Sequence, residues 1–199
     1  MKMDRIFIAA GVLSFFLMYI YDLSTVRAGK KWGRVFFPAG AAGLVVSTAG
    51  LAVRCADSRT AGIFFAVTSV SAALFFVLLI YTLFFALPAE AYSGDSKSRM
   101  CVCRTGMYAV CRHPGMLWLA GFYLCSSLAL DSAVFWLASV IFVLMDFIYI
   151  LMQDIFIFPL QFADYADYRK NTPFLIPRAP GARQTASDRI DGERNRDEI

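Results

Sequence analysis

The chain has 199 residues, of which 59% are hydrophobic and 17% charged, and its mean hydropathy is +0.59. A soluble domain of this length has too small an interior to hide that much apolar surface, so composition excludes a water-soluble globule and points to an integral membrane protein. The net charge of +4 is spread over loops that also hold aspartates, which argues against a nucleic-acid surface.

Five apolar stretches, 6–21, 35–53, 61–87, 115–130 and 133–158, meet or approach the roughly 20 residues a helix needs to cross about 30 Å of hydrocarbon. The expected fold is all-α, with five transmembrane helices in one domain over residues 1–177. The first stretch follows Lys2 and Arg5 as a signal peptide would. However, Phe15-Phe16-Leu17-Met18-Tyr19 offers no small-residue cleavage site, and the stretch is read as a retained helix. It ends in Tyr19-Ile20-Tyr21-Asp22, which with Trp32 supplies interfacial anchors.

The second span carries Gly40, Gly43, Ser47 and Gly50 at spacings of three and four, so one of its faces is small enough for another helix to approach closely. The short return loop, Arg54 to Thr60, predicts an antiparallel hairpin of spans two and three. At about 1.5 Å per residue the third span is long enough to tilt or project beyond the lipid, and Pro88 ends it. Residues 89–105 form the one long polar loop between spans, of a length that tends to carry function.

Gly106-Met107-Tyr108-Ala109-Val110-Cys111-Arg112-His113-Pro114-Gly115-Met116 then joins that loop to the fourth span and contains the only histidine. Pro114 restricts His113 to an extended conformation and itself suits the first turn of a helix. A turn of about two residues around Asp131 makes spans four and five a tight hairpin, so their far ends are neighbours. Asp146, Tyr149, Gln153 and Asp154 interrupt the fifth apolar run, and the first three fall within about 60° of one another on a helix. Carboxylates inside a span point into a bundle or a cavity. Two readings follow: structural pairing, for instance with Arg112, or a ligand chamber walled by spans four and five and covered by the His113 loop.

Pro159 is expected to bend or end the fifth span. Leu160 to Lys170 reads as a short interfacial helix, with Phe158, Phe162 and Tyr165 at i, i+4 and i+7. Thr172-Pro173-Phe174-Leu175-Ile176-Pro177 reads as an extended strap folding back under the bundle, and residues 178–199 as a disordered charged tail. The five cysteines are odd in number and form no disulfide framework, and the Cys101-x-Cys103 spacing fits structural zinc poorly, so no metal is expected. With five spans and the C-terminus in the cytoplasm, lysines and arginines divide fifteen inside to four outside. The expected orientation therefore has the N-terminus outside.

Gly-x-Tyr-x-x-x-Arg-His-Pro before one span, a polar end to the next, Tyr165-Ala166-Asp167-Tyr168, and Pro173 to Pro177 together resemble the isoprenylcysteine carboxyl methyltransferase family and its phospholipid methyltransferase relatives. The resemblance covers roughly residues 95–177, and the first three spans match only in number and length. It implies a membrane-embedded enzyme that binds S-adenosylmethionine at the cytoplasmic side and methylates a lipidic or membrane-soluble acceptor. The implied cofactor contacts are Tyr108, His113, Pro114, Gly115 and Met116, with Met100 to Cys103 ahead of them and Gln153 and Asp154 opposite. This chain departs from the family's pattern in having Met116 where a tyrosine is usual, Gln153-Asp154 for a glutamate pair, and Tyr149 for an arginine. The missing arginine makes a prenylcysteine carboxylate an unsuitable acceptor. The alternatives are a non-catalytic protein that kept the fold, and a sterol-reductase-like enzyme using a nicotinamide cofactor.

Overall fold

The computed structural model describes residues 2–28, 35–86 and 101–176. Trp32, Pro88, Met100, most of the 89–105 loop, Pro177 and the charged tail lie outside these residues. The described chain is helical: α1 Lys2–Ala28, α2 Phe36–Arg54, α3 Gly62–Phe84, the single turn α4 Met107–Val110, α5 Pro114–Leu130, α6 Ala133–Met152, α7 Phe158–Gln161 and α8 Tyr165–Asn171. Between α6 and α7 the backbone passes through a π-helical turn, Gln153–Ile157. Four of these helices are long and apolar enough to cross a membrane: α1, α2, α3, and α6 continued through Gln161. The fifth apolar helix, α5, has only 17 residues, about 26 Å of rise.

Several boundaries move from their expected places. α1 extends beyond the apolar stretch 6–21 at both ends, because a helix need not stop where the lipid does. α3 is 23 residues rather than 27. The segment expected as one helix from Leu160 to Lys170 is two, broken where Phe162 is extended (φ −110°, ψ 133°). Pro159 cannot donate the amide hydrogen that a regular α-helix would give to Ile155, and the π turn takes up that gap.

The lateral order of the helices also differs from the expected hairpin. α2 packs along α1 and α3 along α5, while α6 touches both α1 and α5 and joins the two pairs. α2 and α3, although consecutive, make little contact with each other. The small residues of α2 explain its choice of partner. A Cβ on Gly40 would lie 2.6 Å from the Ser14 carbonyl oxygen, one on Gly50 would overlap the ring of Phe7, and the Ser47 hydroxyl donates to the Phe7 carbonyl. In a membrane, where burial of hydrocarbon gives no net drive, such backbone approach is what holds two helices together. Gly40→Ala is accordingly expected to destabilise the fold by about 1–3 kcal/mol, since a backbone oxygen cannot move aside as a side chain can. A lowered midpoint of thermal unfolding in detergent is the measurement; an unchanged midpoint would mean that α1 and α2 are free to separate.

The core lies on the face of α6 that carries Phe135, Ala138, Phe142 and Tyr149, packed against Phe15 of α1 and Tyr123 of α5. Phe142 is fully buried and fills the space that Gly11 leaves on α1. The α5–α6 turn is tight as expected, with Asp131 in the left-handed region (φ 44°) and its N–H bonded to Ser127 O at 2.9 Å. At this end of the bundle the α2–α3 loop is tied down. Thr60 N–H and Oγ1 both donate to Ala129 O, at 2.9 and 3.0 Å, and Ser132 Oγ meets Cys55 Sγ at 3.2 Å.

Candidate functional site

At the opposite end of the bundle, where α1, α3 and α6 finish and α2 and α5 begin, the backbone itself builds a platform. Gly106 sits at φ 60°, ψ −133°, a conformation glycine alone adopts without strain, and turns the chain from the 101–105 loop into α4. His113 is kept out of the helical region but stops short of the expected extended conformation (φ −126°, ψ 63°), and Pro114 opens α5. The chain after α8 returns beneath this corner: Arg112 N–H donates to Pro173 O at 2.9 Å and His113 N–H to Phe174 O at 3.3 Å. Residues far apart in sequence are thereby clamped backbone to backbone.

Asp154 is the electrostatic centre of the platform, 2% exposed. Arg112 Nη1 lies 2.9 Å from its Oδ1 and His113 Nε2 3.4 Å from the same oxygen, the Tyr165 hydroxyl donates to it at 2.5 Å, and Arg169 Nε is 3.6 Å from Oδ2. Burial lowers the His113 pKa, outweighing the opposing pull of Asp154, so the imidazole is neutral at pH 7. It stacks on Phe158 (centroids 5.8 Å, planes 11° apart) and meets the edge of Phe174 at 4.9 Å. Burial, followed by the neighbouring carboxylate, raises the Tyr165 pKa, which keeps that hydroxyl a donor. Cys111 is buried and its thiol is also raised by burial, which makes it a poor nucleophile. Arg112 Nε is buried and has no hydrogen-bond partner among the described residues.

A second acidic group was not singled out by sequence. Asp22, near the end of α1, accepts from the Tyr149 hydroxyl at 2.6 Å and from Gln153 Nε2 at 2.7 Å. The polar stripe on α6 is therefore docked on α1. The only sequence signal for Asp22 is a carboxylate just past an apolar run, which an interfacial residue shares.

Between the two helix pairs lies a cavity of about 1160 Å³. Its polar end is bordered by Asp22, Tyr149, Gln153, Arg112 and His113, and its apolar length by α2, α3 and α5, including Leu44, Ala49, Phe76 and Phe122. Val45 and Phe84 line it and are also more than half exposed, so it opens outward between α2 and α3. Of the sequence-predicted site residues, Tyr108, His113, Pro114, Gly115, Met116 and Gln153 border this cavity. Asp154 does not; it stands behind Arg112 and His113 and holds them. Tyr108 gives its hydroxyl to Thr82 O at 3.1 Å, and its own carbonyl accepts from Tyr168 at 2.6 Å, so α3, α4 and α8 meet there. The 101–105 loop reaches the same region because Asp164 accepts from Val102 N–H at 2.8 Å and from Arg104 at 2.9 Å. Burial opposes ionisation of Asp164, yet these two donors hold its pKa below the usual carboxylate range.

No curated protein and no solved structure matches the chain. Residues 23–172 match the family described as a protein of unknown function, DUF1295, a stretch from the last part of α1 to just past α8 that takes in every site residue named above except Asp22, Pro173 and Phe174. With about three-quarters of its 199 residues covered by that match, the chain belongs to the DUF1295 family.

Proposed function

We propose that the protein is a membrane-embedded methyltransferase that uses S-adenosylmethionine and acts on a lipidic or membrane-soluble acceptor. The observation that carries this reading is the cavity's two-sided character: one polar end built around the Arg-His-Pro corner, continuous with an apolar wedge that opens between helices α2 and α3. A water-borne cofactor and a hydrocarbon-bearing acceptor need such adjoining surroundings. Five spans, with α5 the short one, and a cytoplasmic C-terminus go with the reading, since the fifteen-to-four division of basic residues puts the polar end of the cavity inside.

The residues present fit the cofactor. Arg112 Nε is a buried donor left over from the Asp154 pair, suited to a carboxylate. Tyr108, Phe158 and Phe162 bring aromatic faces to the same end, where a sulfonium gains about 1 kcal/mol or more once water is excluded. The neutral state of His113 avoids repelling a cationic ligand. Bound S-adenosylmethionine supplies an activated methyl group. The chain's own task is then to hold Arg112 and His113 in place through Asp154, to exclude water, and to align the acceptor, which is the larger part of such a reaction. Among the described lining residues Arg112 is the sole lysine or arginine, too few for the phosphates of a nicotinamide dinucleotide.

Calorimetry and thermal shift on the purified protein with S-adenosylmethionine or its demethylated product test the proposal. Saturation near 100 times Kd is expected to add about 2.7 kcal/mol of stability. Absence of both heat and a shift at millimolar ligand would remove the methyltransferase reading.

A further inference from the structure

Two carboxylates line the cavity, Asp22 and Asp146. Asp22 is satisfied by Tyr149 and Gln153. Asp146 receives no hydrogen bond and no ion pair among the described residues. The donors that follow it along the chain, three and seven residues on, are the same Tyr149 of α6 and Gln153 of the π turn, both already given to Asp22. Tyr123 and Thr48, which also border the cavity, are bonded to each other at 2.7 Å. Arg112 is held by Asp154. Asp146 stands two turns further into the membrane than Asp154, on a wall that Leu119, Phe122 and Ile150 make apolar. A carboxyl group at such depth is costly unless something supplies it with donors.

We propose that Asp146 is the head-group recognition residue of this cavity, accepting an N–H or O–H from an amphiphile whose hydrocarbon lies in the wedge between α2 and α3. The assignment rests on the proposed function and names the acceptor's chemistry: a head that donates hydrogen bonds and carries no acid. An ionised carboxylate head has no N–H or O–H to give Asp146, and the one cation on the described wall, Arg112, is paired with Asp154 at the polar end.

The test uses the full-length protein in a neutral detergent, with dodecylamine, dodecanol and dodecanoate presented at matched mole fractions and binding read by calorimetry. The amine is expected to bind at least about tenfold more tightly than the carboxylate. Amine above alcohol identifies an ammonium as the preferred head, and amine equal to alcohol identifies a neutral donor; both support the assignment. Asp146→Asn is expected to cost the amine about tenfold and to bring the three probes close together. A second measurement needs no variant. Dicyclohexylcarbodiimide, which attacks carboxyl groups in apolar surroundings, should label Asp146, and dodecylamine should protect it where dodecanoate does not. Equal binding of the carboxylate, or unchanged selectivity in Asp146→Asn, would overturn the proposal and leave a hydrated carboxyl group only. S-adenosylmethionine titrated separately keeps the two readings apart. Amine recognition without cofactor binding retains this site and removes methyl transfer, and cofactor binding without amine selectivity does the reverse.

Discussion

Asp154→Ala is expected to cost about 3–5 kcal/mol of stability, the largest effect of any single change at the polar end, because it strands a buried arginine. The Arg112 side chain is 8% exposed and would lose the carboxylate 2.9 Å away, while Tyr165 and His113 would lose the acceptor they share. The same substitution should remove the thermal shift produced by S-adenosylmethionine, since Arg112 and His113 would no longer be held toward the cavity. Loss of fold and loss of binding are separable. Replacing both partners with apolar residues, Asp154→Leu with Arg112→Met, is expected to restore most of the stability, as buried ion pairs exchanged for hydrocarbon often do, yet not the ligand shift. Asp146→Ala should weaken cofactor binding less than Asp154→Ala, because Asp146 lies deeper, beside the acceptor's part of the cavity. The reverse order would mean that the cofactor sits further into the membrane than the Arg-His-Pro corner.

Features that depend on local periodicity were legible in the sequence. The polar stripe of Asp146, Tyr149 and Gln153, the small face of α2, the turn at Asp131 and the start of α5 at Pro114 all follow from spacing or from the geometry of a single residue. The pairing of Asp154 with Arg112 was one of two readings the sequence left open, and the structure contains both that pair and a cavity beside it. What needed the third dimension was the identity of partners. Asp22 is 127 residues from Tyr149 and 131 from Gln153, so no window of sequence joins them. A short loop between α2 and α3 says that they are consecutive; it does not say that they pack, and the small residues of α2 are used up on α1. The break at Phe162 has a similar cause. The 162–164 turn is held by Asp164 to Val102 and Arg104, contacts that a helical repeat of aromatic residues cannot reveal. The π turn starting at Gln153 was likewise invisible to a count of 100° per residue. Gln153 borders the cavity and Asp154 faces Arg112 and Tyr165 behind it.

Ala49→Trp is expected to abolish binding of the amphiphile while leaving the cofactor untouched, a loss of at least about tenfold against no change. Ala49 belongs to the face of α2 that carries Ala41, Leu44, Val45, Thr48 and Ala52 into the cavity, roughly opposite the face that meets α1. It lies about 20 Å along the helix from Phe36, well away from the Arg-His-Pro corner. It is also exposed, so an indole there enters the wedge without displacing a packed core residue, and the unfolding midpoint should stay near that of the parent protein. Val46→Trp provides the control. Val46 is the same helix's neighbouring position three residues earlier, 64% exposed and off the cavity wall, so its indole would face lipid and leave all binding intact. If the two variants bind dodecylamine alike, the gap between α2 and α3 is a space that lipid fills by default and not the route by which an acceptor reaches Asp146.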